Sequence, residues 1–211
     1  MRVPVLSMAV RRSLSLLAVC TGNTCRSVMA GVMLELAAAR RGLTLCVMTA
    51  GTHAAEGVPP GARTLAALGT VAVLEPELER AAAGARAHRS RQLDADALGR
   101  ADLVVAMEAA HVRHVRRRYP AAAGRTGMLR TLVRDLAPPA QLAPFGSPSP
   151  FAERIAALRL ADAPLDPADD VEDPAGHAAL DAPADPDDPD APYAACAAEL
   201  WSLCAALVRS L

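Results

Sequence analysis

Residues 19–27 read V-C-T-G-N-T-C-R-S, so that Cys20 and Arg26 enclose a five-residue loop. The apolar run 14–19 predicts a buried strand before the loop, and a helix is expected to begin near Ser27. This order directs several backbone N–H groups and a helix N-terminus at one point, where an oxyanion can bind. The same positive field stabilises a thiolate, so Cys20 is predicted to be a nucleophile at neutral pH.

Arg26 supports this interpretation because its planar guanidinium can pair with two phosphoryl oxygens at once. The alternative is a buried structural cysteine beside an ordinary turn that contains Gly22 and Asn23. A glycine and an asparagine within a strand-loop-helix frame favour the first interpretation. The sequence therefore predicts a phosphate-binding loop that carries a nucleophile.

The elements that must position this loop alternate between strand and helix patterns, in the order β-α-β-α-β-α-β-α. Such alternation predicts an α/β fold of the flavodoxin-like kind, a small parallel four-stranded sheet with helices on both faces. The loop would then lie at the carboxyl ends of the strands. The predicted strands are 13–19, 44–48, 102–107 and 127–129, and the helices include 59–68 and a final helix from Tyr193 to Leu211.

A length of 211 residues fits one domain with extra segments. Residues 1–12 are interpreted as an N-terminal extension and residues 13–211 as a single domain. Frequent prolines predict an insertion over 137–169. A short helix is expected within it at 151–160, with Ser149 as its N-cap and Pro150 at its first position.

The segment before the last helix is strongly acidic. Between Asp162 and Asp190 the chain has 11 acidic residues, many beside prolines, and no arginine. Such a composition buries little apolar surface. Residues 170–190 are therefore predicted to form a mobile acidic flap.

Composition narrows the classes of function. All 22 basic residues are arginine, which excludes a phosphate-binding lysine of the Walker A type and a Schiff-base lysine. A net charge of −1 gives no reason to expect nucleic acid as a partner. No apolar run approaches membrane-spanning length, so no membrane partner is expected. An odd count of five cysteines, without the spacing of a disulfide scaffold, favours the reducing cytoplasm.

One basic run lies on a predicted helix. We interpret it as a solvated helix face, with a docking patch for an acidic partner as the alternative. Its members are His111, Arg113, His114, Arg116, Arg117 and Arg118.

The loop resembles the signature of the low-molecular-weight protein tyrosine phosphatases, C-x-G-N-x-C-R-S, at all six fixed positions of residues 20–27. The likeness extends beyond the loop. Residues 49–52 (T-A-G-T) resemble the family's S-A-G-T, residues 88–92 (H-R-S-R-Q) its H-x-x-R-Q, and residues 101–107 its third strand. Motif order places residues 13–136 and the C-terminal helix on the family pattern.

The resemblance implies that Cys20 attacks phosphorus to give a phosphocysteine and that Arg26 holds the phosphoryl oxygens. A general acid must protonate the leaving oxygen, and in the family it lies in an Asp-Pro pair before the last helix. Asp173 fits this pattern best. The competing Asp-Pro pairs begin at Asp166, Asp185 and Asp188.

The resemblance implies further roles around these residues. The substrate is a phosphorylated protein, and no metal or cofactor is required. Cys25 is either a small apolar side chain or, as in the family, the partner in a disulfide that protects an oxidised nucleophile. The implied substrate-binding residues are Thr21, Gly22, Asn23, Thr24, Cys25 and Ser27, and the implied supports of the loop are Asn23, Thr49 and His88.

Three departures from the family concern the loop and the choice of substrate. Val28 replaces the usual proline after C-R-S. Ala175 and Gly176 follow the Asp-Pro pair, where tyrosine-specific members have aromatic residues that flank the phenol ring. Thr24 occupies a loop position at which bacterial protein-arginine phosphatases have threonine.

The leading hypothesis is a phosphatase for phosphotyrosine-type phosphomonoesters, and the alternative is a protein-arginine phosphatase on the same scaffold. An arsenate reductase of the thioredoxin-coupled form needs two further cysteines near the site, and none lies between Cys46 and Cys196. A phosphate-binding pseudophosphatase is the non-enzymatic alternative. The retained Cys20, Arg26 and Ser27 argue against it.

Overall fold

The computed structural model describes residues 13–74, 82–136, 151–176 and 188–211. Four strands form one parallel sheet in the order β2-β1-β3-β4, which confirms the predicted α/β architecture. The strands are β1 (Leu14–Cys20), β2 (Leu45–Gly51), β3 (Leu103–Ala106) and β4 (Thr126–Met128). Strand β2 is longer than predicted because its last residues, Thr49 to Gly51, continue the pairing with β1 up to Cys20.

Helices follow the strands in the described part of the chain, and two 3-10 turns, Pro120–Arg125 and Pro167–Asp169, connect them. Helix α2 begins three residues later than predicted and continues six residues further. The helices are α1 (Arg26–Arg40), α2 (Ala62–Leu74), α3 (Ala95–Arg100), α4 (Ala109–Arg118), α5 (Leu129–Asp135), α6 (Phe151–Ala157) and α7 (Ala191–Arg209).

Strand β1 is buried on both faces. Leu16 and Ala18 belong to a core that includes α1, α2 and α7, whereas Leu17 and Val19 belong to a second core with α3 and α4. A parallel sheet covered on both faces has strands that are apolar along their whole length. Cys20 is the last residue of β1, which is a central strand. It therefore lies at the carboxyl edge of the sheet, where ligands bind in folds of this kind.

Helix α7 is long and apolar enough, by length and composition alone, to cross a membrane. This corrects the expectation that no run approaches that length. Leu200, Cys204 and Leu207 are nevertheless fully buried in the core that contains α1. A core helix with such a buried face passes the same test, so the packing accounts for the composition of α7.

The acidic segment before α7 is better ordered than its composition predicted. Val171 is fully buried, its N–H donates to the Met107 carbonyl over 2.8 Å, and the Asp170 carboxylate accepts from the Ala109 N–H over 2.6 Å. One valine and two loop contacts therefore fix residues 170–173 against the end of β3. The predicted mobile flap is wrong for this stretch.

The predicted insertion also contributes to the core. Ile155 and Leu160 are buried there, and α6 ends three residues before the predicted limit of 160. The N-terminal extension 1–12, residues 137–150 with the predicted caps Ser149 and Pro150, and residues 177–187 of the flap lie outside the described residues.

Candidate active site

The Cys20 sulfur is hydrogen-bonded to the loop between β1 and α1 and to the first turn of α1. The Asn23 N–H donates to Sγ over 3.3 Å, and the Ser27 Oγ lies 3.0 Å from it. The Asn23 Nδ2 in turn donates to Ser27 Oγ over 2.9 Å. Asn23 has φ 55°, a left-handed conformation that asparagine tolerates better than most residues. The Cys20 sulfur therefore accepts a hydrogen bond from the backbone of the loop that it begins.

A second layer of hydrogen bonds holds Asn23 itself, which is fully buried. The Arg91 N–H donates to Asn23 Oδ1. The His88 Nε2 lies 2.9 Å from the Asn23 carbonyl oxygen, and it donates to this oxygen in the tautomer that carries the proton on Nε2. Both residues come from the segment 88–92 that the sequence singled out. The structure thus brings His88 to the loop, as the resemblance implied.

Thr49 is a residue of the strand next to β1. It lies on β2, paired with Ala18, and a Cβ added at Gly31 would lie only 3.0 Å from its γ-methyl. This methyl therefore faces α1. A role for the Thr49 hydroxyl in supporting the loop stays a prediction.

Gly51 approaches the loop more closely than any side chain would allow. A Cβ at this position would overlap the Thr21 carbonyl oxygen and would lie 3.0 Å from the Asn23 backbone nitrogen. The Gly51 N–H also donates to the Arg91 carbonyl, which ties β2 to the segment that supports Asn23. The glycine of the T-A-G-T motif is thus required by backbone packing against the phosphate-binding loop.

We expect Gly51→Ala to destabilise the fold by about 1–3 kcal/mol, since backbone atoms must move to admit the methyl group. It should also lower turnover, because the displaced atoms belong to the loop. Denaturant unfolding and steady-state kinetics measure the two effects. Gly69→Ala is the matched control, because Gly69 lies in α2 with no atom within 4 Å of an added Cβ. That change should be neutral or slightly stabilising. Equal free energies of unfolding for Gly51→Ala and the unmodified protein would contradict the packing argument.

Arg26 is the first residue of α1 and is only 2% exposed. Its Nη1 contacts the Glu108 carboxylate and donates to the Val171 carbonyl over 2.8 Å, and its Nη2 donates to Asp173 Oδ2 over 2.7 Å. Burial disfavours the guanidinium charge, but the two carboxylates outweigh it and raise the pKa of Arg26. Arg26 is therefore a permanent cation whose direction is fixed beside Cys20.

Asp173 is the Asp-Pro aspartate that the described residues bring to this arginine. Its other oxygen accepts from the Ala175 N–H over 3.0 Å, which fixes the start of the following turn. Asp166 instead accepts from the Ala168 N–H in a 3-10 turn, and Asp188 accepts from the Ala191 N–H at the start of α7. Asp185 lies outside the described residues.

Sequence reasoning missed Glu108, which directly follows Met107 at the end of β3. It is the N-cap residue of α4, and its carboxylate faces Arg26. The available signal was its position: an acidic residue at the carboxyl end of a strand next to β1 must lie near the loop.

His111 was assigned to a solvated helix face, and this is wrong, since the residue is 2% exposed. The Glu108 N–H donates to Nδ1 over 3.1 Å, so the ring proton resides on Nε2, which lies 3.0 Å from the Thr21 Oγ1 and donates to it. Burial, with smaller contributions from Arg26 and two histidines, lowers the pKa of His111 to about 3. The ring is therefore neutral at neutral pH and orients Thr21. Arg116 of the same run is half-buried and donates to the Ala163 carbonyl over 2.8 Å.

The second cysteine of the loop is a poor nucleophile. Burial raises the pKa of Cys25 to about 11, although a hydrogen bond with Thr64 opposes the shift. Thr64 also donates to the Thr24 carbonyl over 3.2 Å. All five cysteines are free, and Cys25 stays a neutral thiol at the N-cap of α1. Among the described residues no group of three or more His, Cys, Asp or Glu side chains could hold a metal ion.

A cysteine at a strand end, whose sulfur accepts a backbone hydrogen bond, precedes a helix that begins with a buried arginine, an arrangement typical of cysteine-containing phosphoryl-binding loops. Residues 15–139, more than half of the chain, match the family described as low molecular weight phosphotyrosine protein phosphatase. The chain belongs to this family of hydrolases.

Relatives within the family carry two kinds of name. The chain is 33% identical over 113 residues to the probable low molecular weight protein-tyrosine-phosphatase EpsP of Ralstonia nicotianae, a match over 52% of this chain. That match covers 66% of the relative, slightly under two thirds of its length. The chain is also 35% identical over 137 residues to the protein-arginine-phosphatase of Geobacillus stearothermophilus, covering 63% of this chain and 80% of the relative.

Solved structures show the same pair of names. A low molecular weight protein tyrosine phosphatase from T. tengcongensis has a TM-score of 0.63 and 25% identity, over 94% of this chain and 100% of its own. The YwlE arginine phosphatase from Geobacillus stearothermophilus has a TM-score of 0.58 and 26% identity, over 92% and 90% of the two chains. The fold is therefore shared by both kinds of phosphatase.

Proposed function

We propose that this protein hydrolyses phosphorylated side chains of proteins through a phosphocysteine at Cys20. The observation that carries the proposal is the placement of the Cys20 sulfur. It accepts a hydrogen bond from the Asn23 N–H and lies near the Ser27 hydroxyl, in a loop that is followed directly by Arg26. Backbone N–H groups aimed at a point where negative charge develops are an effective means of stabilising a transition state.

In the first step the Cys20 thiolate attacks phosphorus and the bond from phosphorus to the leaving oxygen or nitrogen breaks. Asp173 gives its proton to the leaving group. In the second step Asp173 takes a proton from a water molecule, whose oxygen attacks the phosphocysteine and releases phosphate and the thiolate. Ser27, 3.0 Å from the sulfur, donates a hydrogen bond to the departing thiolate.

Arg26 binds two of the phosphoryl oxygens in both steps. In the structure it is paired with Glu108 and Asp173. A bound phosphoryl group takes the place of Asp173 on the guanidinium, and Asp173, no longer paired with the arginine, carries the proton that it gives to the leaving group. Glu108 stays paired with Arg26 and holds the orientation of its guanidinium. The rest of the phosphoryl-binding loop consists of Thr21, Gly22, Asn23, Thr24 and Cys25, with His88 and Thr49 as supports.

Phosphotyrosine is the leading substrate class, and phosphoarginine is the second candidate. The second rests on Thr24 and on Ala175 and Gly176, which follow Asp173-Pro174 without an aromatic residue, and on the name of the Geobacillus relative. We place the reaction in the cytoplasm, where the free thiols of Cys20 and Cys25 stay reduced.

The test is turnover in the presence of a chelator, with a phosphotyrosine peptide and a phosphoarginine peptide of the same sequence. We expect Thr24→Ile to raise the ratio of kcat/KM for phosphotyrosine over phosphoarginine about two- to tenfold, because it adds apolar surface for a phenol ring and removes a hydroxyl that can contact a guanidinium. An unchanged ratio would show that residue 24 does not select the substrate. No turnover of either peptide would overturn the proposed function.

A further inference from the structure

Two helices meet at the rim of the active site, and each is attached to a different side of it. Helix α2 is attached on the loop side, where the Thr64 hydroxyl donates to the Thr24 carbonyl over 3.2 Å. Helix α7 is attached on the acid side, where the Cys196 thiol lies 3.8 Å from the carbonyl oxygen of Glu172, the neighbour of Asp173. The turns that carry Thr64 and Cys196 are therefore tied to the loop and to the neighbour of Asp173.

A cluster of three side chains joins the two helices there, and we call Arg63, Asp190 and Tyr193 the rim cluster. The Arg63 Nε lies 3.2 Å from Asp190 Oδ1, and the Arg63 guanidinium carbon lies 5.8 Å from the centre of the Tyr193 ring. Arg63 precedes Thr64, and Tyr193 lies one helical turn before Cys196, so both belong to the turns attached to the site.

The surroundings of Tyr193 agree with this position. Burial raises the pKa of its hydroxyl; Cys25 when ionised and Asp173 act in the same direction, and Arg63 opposes the shift. Cys25 belongs to the phosphoryl-binding loop and Asp173 is the proposed acid. The Tyr193 side chain packs partly against the core and is partly exposed.

We propose that the Tyr193 ring, held by Arg63 and Asp190, forms a side wall of the active-site mouth and contacts the flat side chain that carries the phosphoryl group. Tyr193 is thus a specificity-determining residue, and this inference rests on the proposed function. It also bears on the chain's low aromatic content. Where Ala175 and Gly176 offer no ring after the Asp-Pro pair, helix α7 supplies one from another direction.

The test compares the binding of phenylphosphonate and methylphosphonate by calorimetry, which needs no turnover. Both ligands occupy the phosphoryl loop, and only the first has a ring. We expect Tyr193→Leu to reduce the preference for phenylphosphonate about three- to tenfold and to leave the affinity for methylphosphonate unchanged. Tyr193→Phe should keep the preference, since the ring is retained.

Trp201→Leu is the matched control, because Trp201 lies on the same helix with Arg40 over its ring at 5.2 Å, two turns further from the site. It should leave the preference intact. An unchanged preference in Tyr193→Leu, an equal loss in Trp201→Leu, or a loss in Tyr193→Phe as large as in Tyr193→Leu would each overturn the inference. If the unmodified protein binds neither phosphonate, the proposed function fails, and this inference fails with it.

Discussion

Cys20→Ser is expected to lower turnover by at least about 10³-fold, because the nucleophile of a covalent mechanism has no substitute in the loop. A serine hydroxyl at this position would not ionise at neutral pH, although the Asn23 N–H would still face it. The fold should be unaffected, since Cys20 is isosteric with serine and already bonded to Ser27. Steady-state kinetics measures the loss, and rapid quenching of the unmodified enzyme should trap phosphate on Cys20.

Cys46→Ser is the matched control, because Cys46 is the exposed thiol of the neighbouring strand β2. Its kinetics and its thermal unfolding should equal those of the unmodified protein. Cys25→Ser should likewise yield a phosphocysteine at Cys20, since the Cys25 thiol stays protonated at neutral pH. Phosphate trapped on Cys25, or full activity in Cys20→Ser, would contradict the assignment of the nucleophile.

The loop was readable from sequence because its chemistry is local. Cys20, Asn23 and Ser27 lie within eight consecutive residues, and their mutual contacts follow from a strand, a turn and a helix start. The parallel sheet was also predictable, since alternation of strand and helix patterns requires one. Local geometry and hydrophobic pattern therefore suffice for the nucleophile and for the architecture.

Contacts between distant segments were not predictable in the same way. Glu108 meets Arg26 across 82 positions, and His111 meets Thr21 across 90. On sequence alone His111 is one cation in a basic run, and only the packing of α4 against the carboxyl edge of the sheet turns it inward. On sequence alone Tyr193 is likewise an ordinary residue in the first turn of a helix, because its contact with Arg63 joins distant segments.

The prediction for residues 170–173 of the acidic segment was wrong for a different reason. Its average composition predicts disorder, but average composition does not describe a stretch of four residues. Val171 fills a place in the core, and its carbonyl accepts from Arg26. The buried guanidinium needs acceptors, and residues 171–173 supply two of them. The contacts with Arg26 therefore add to the burial of Val171 in ordering this stretch.

Asp173 contacts Arg26 as well, and its substitution is expected to have the second largest effect on turnover. Asp173→Asn should slow hydrolysis of phenyl phosphate, which has a poor leaving group, about 10²- to 10³-fold. Hydrolysis of p-nitrophenyl phosphate should change far less, because its leaving group departs without a proton. An asparagine can still accept a hydrogen bond from Arg26, so the site should remain assembled, and thermal unfolding checks this.

The matched control is Asp166→Asn, which alters the aspartate of a neighbouring Asp-Pro pair that caps a 3-10 turn away from Arg26. Its rates on both esters should equal those of the unmodified enzyme. If Asp173→Asn slows both esters equally, the carboxylate only positions Arg26 and is not the acid. If Asp166→Asn instead shows the dependence on the leaving group, the proton comes from the other pair. A loss confined to phenyl phosphate and to Asp173→Asn assigns the proton transfer to Asp173. Among the described Asp-Pro pairs, this is the aspartate whose carboxylate contacts the buried arginine.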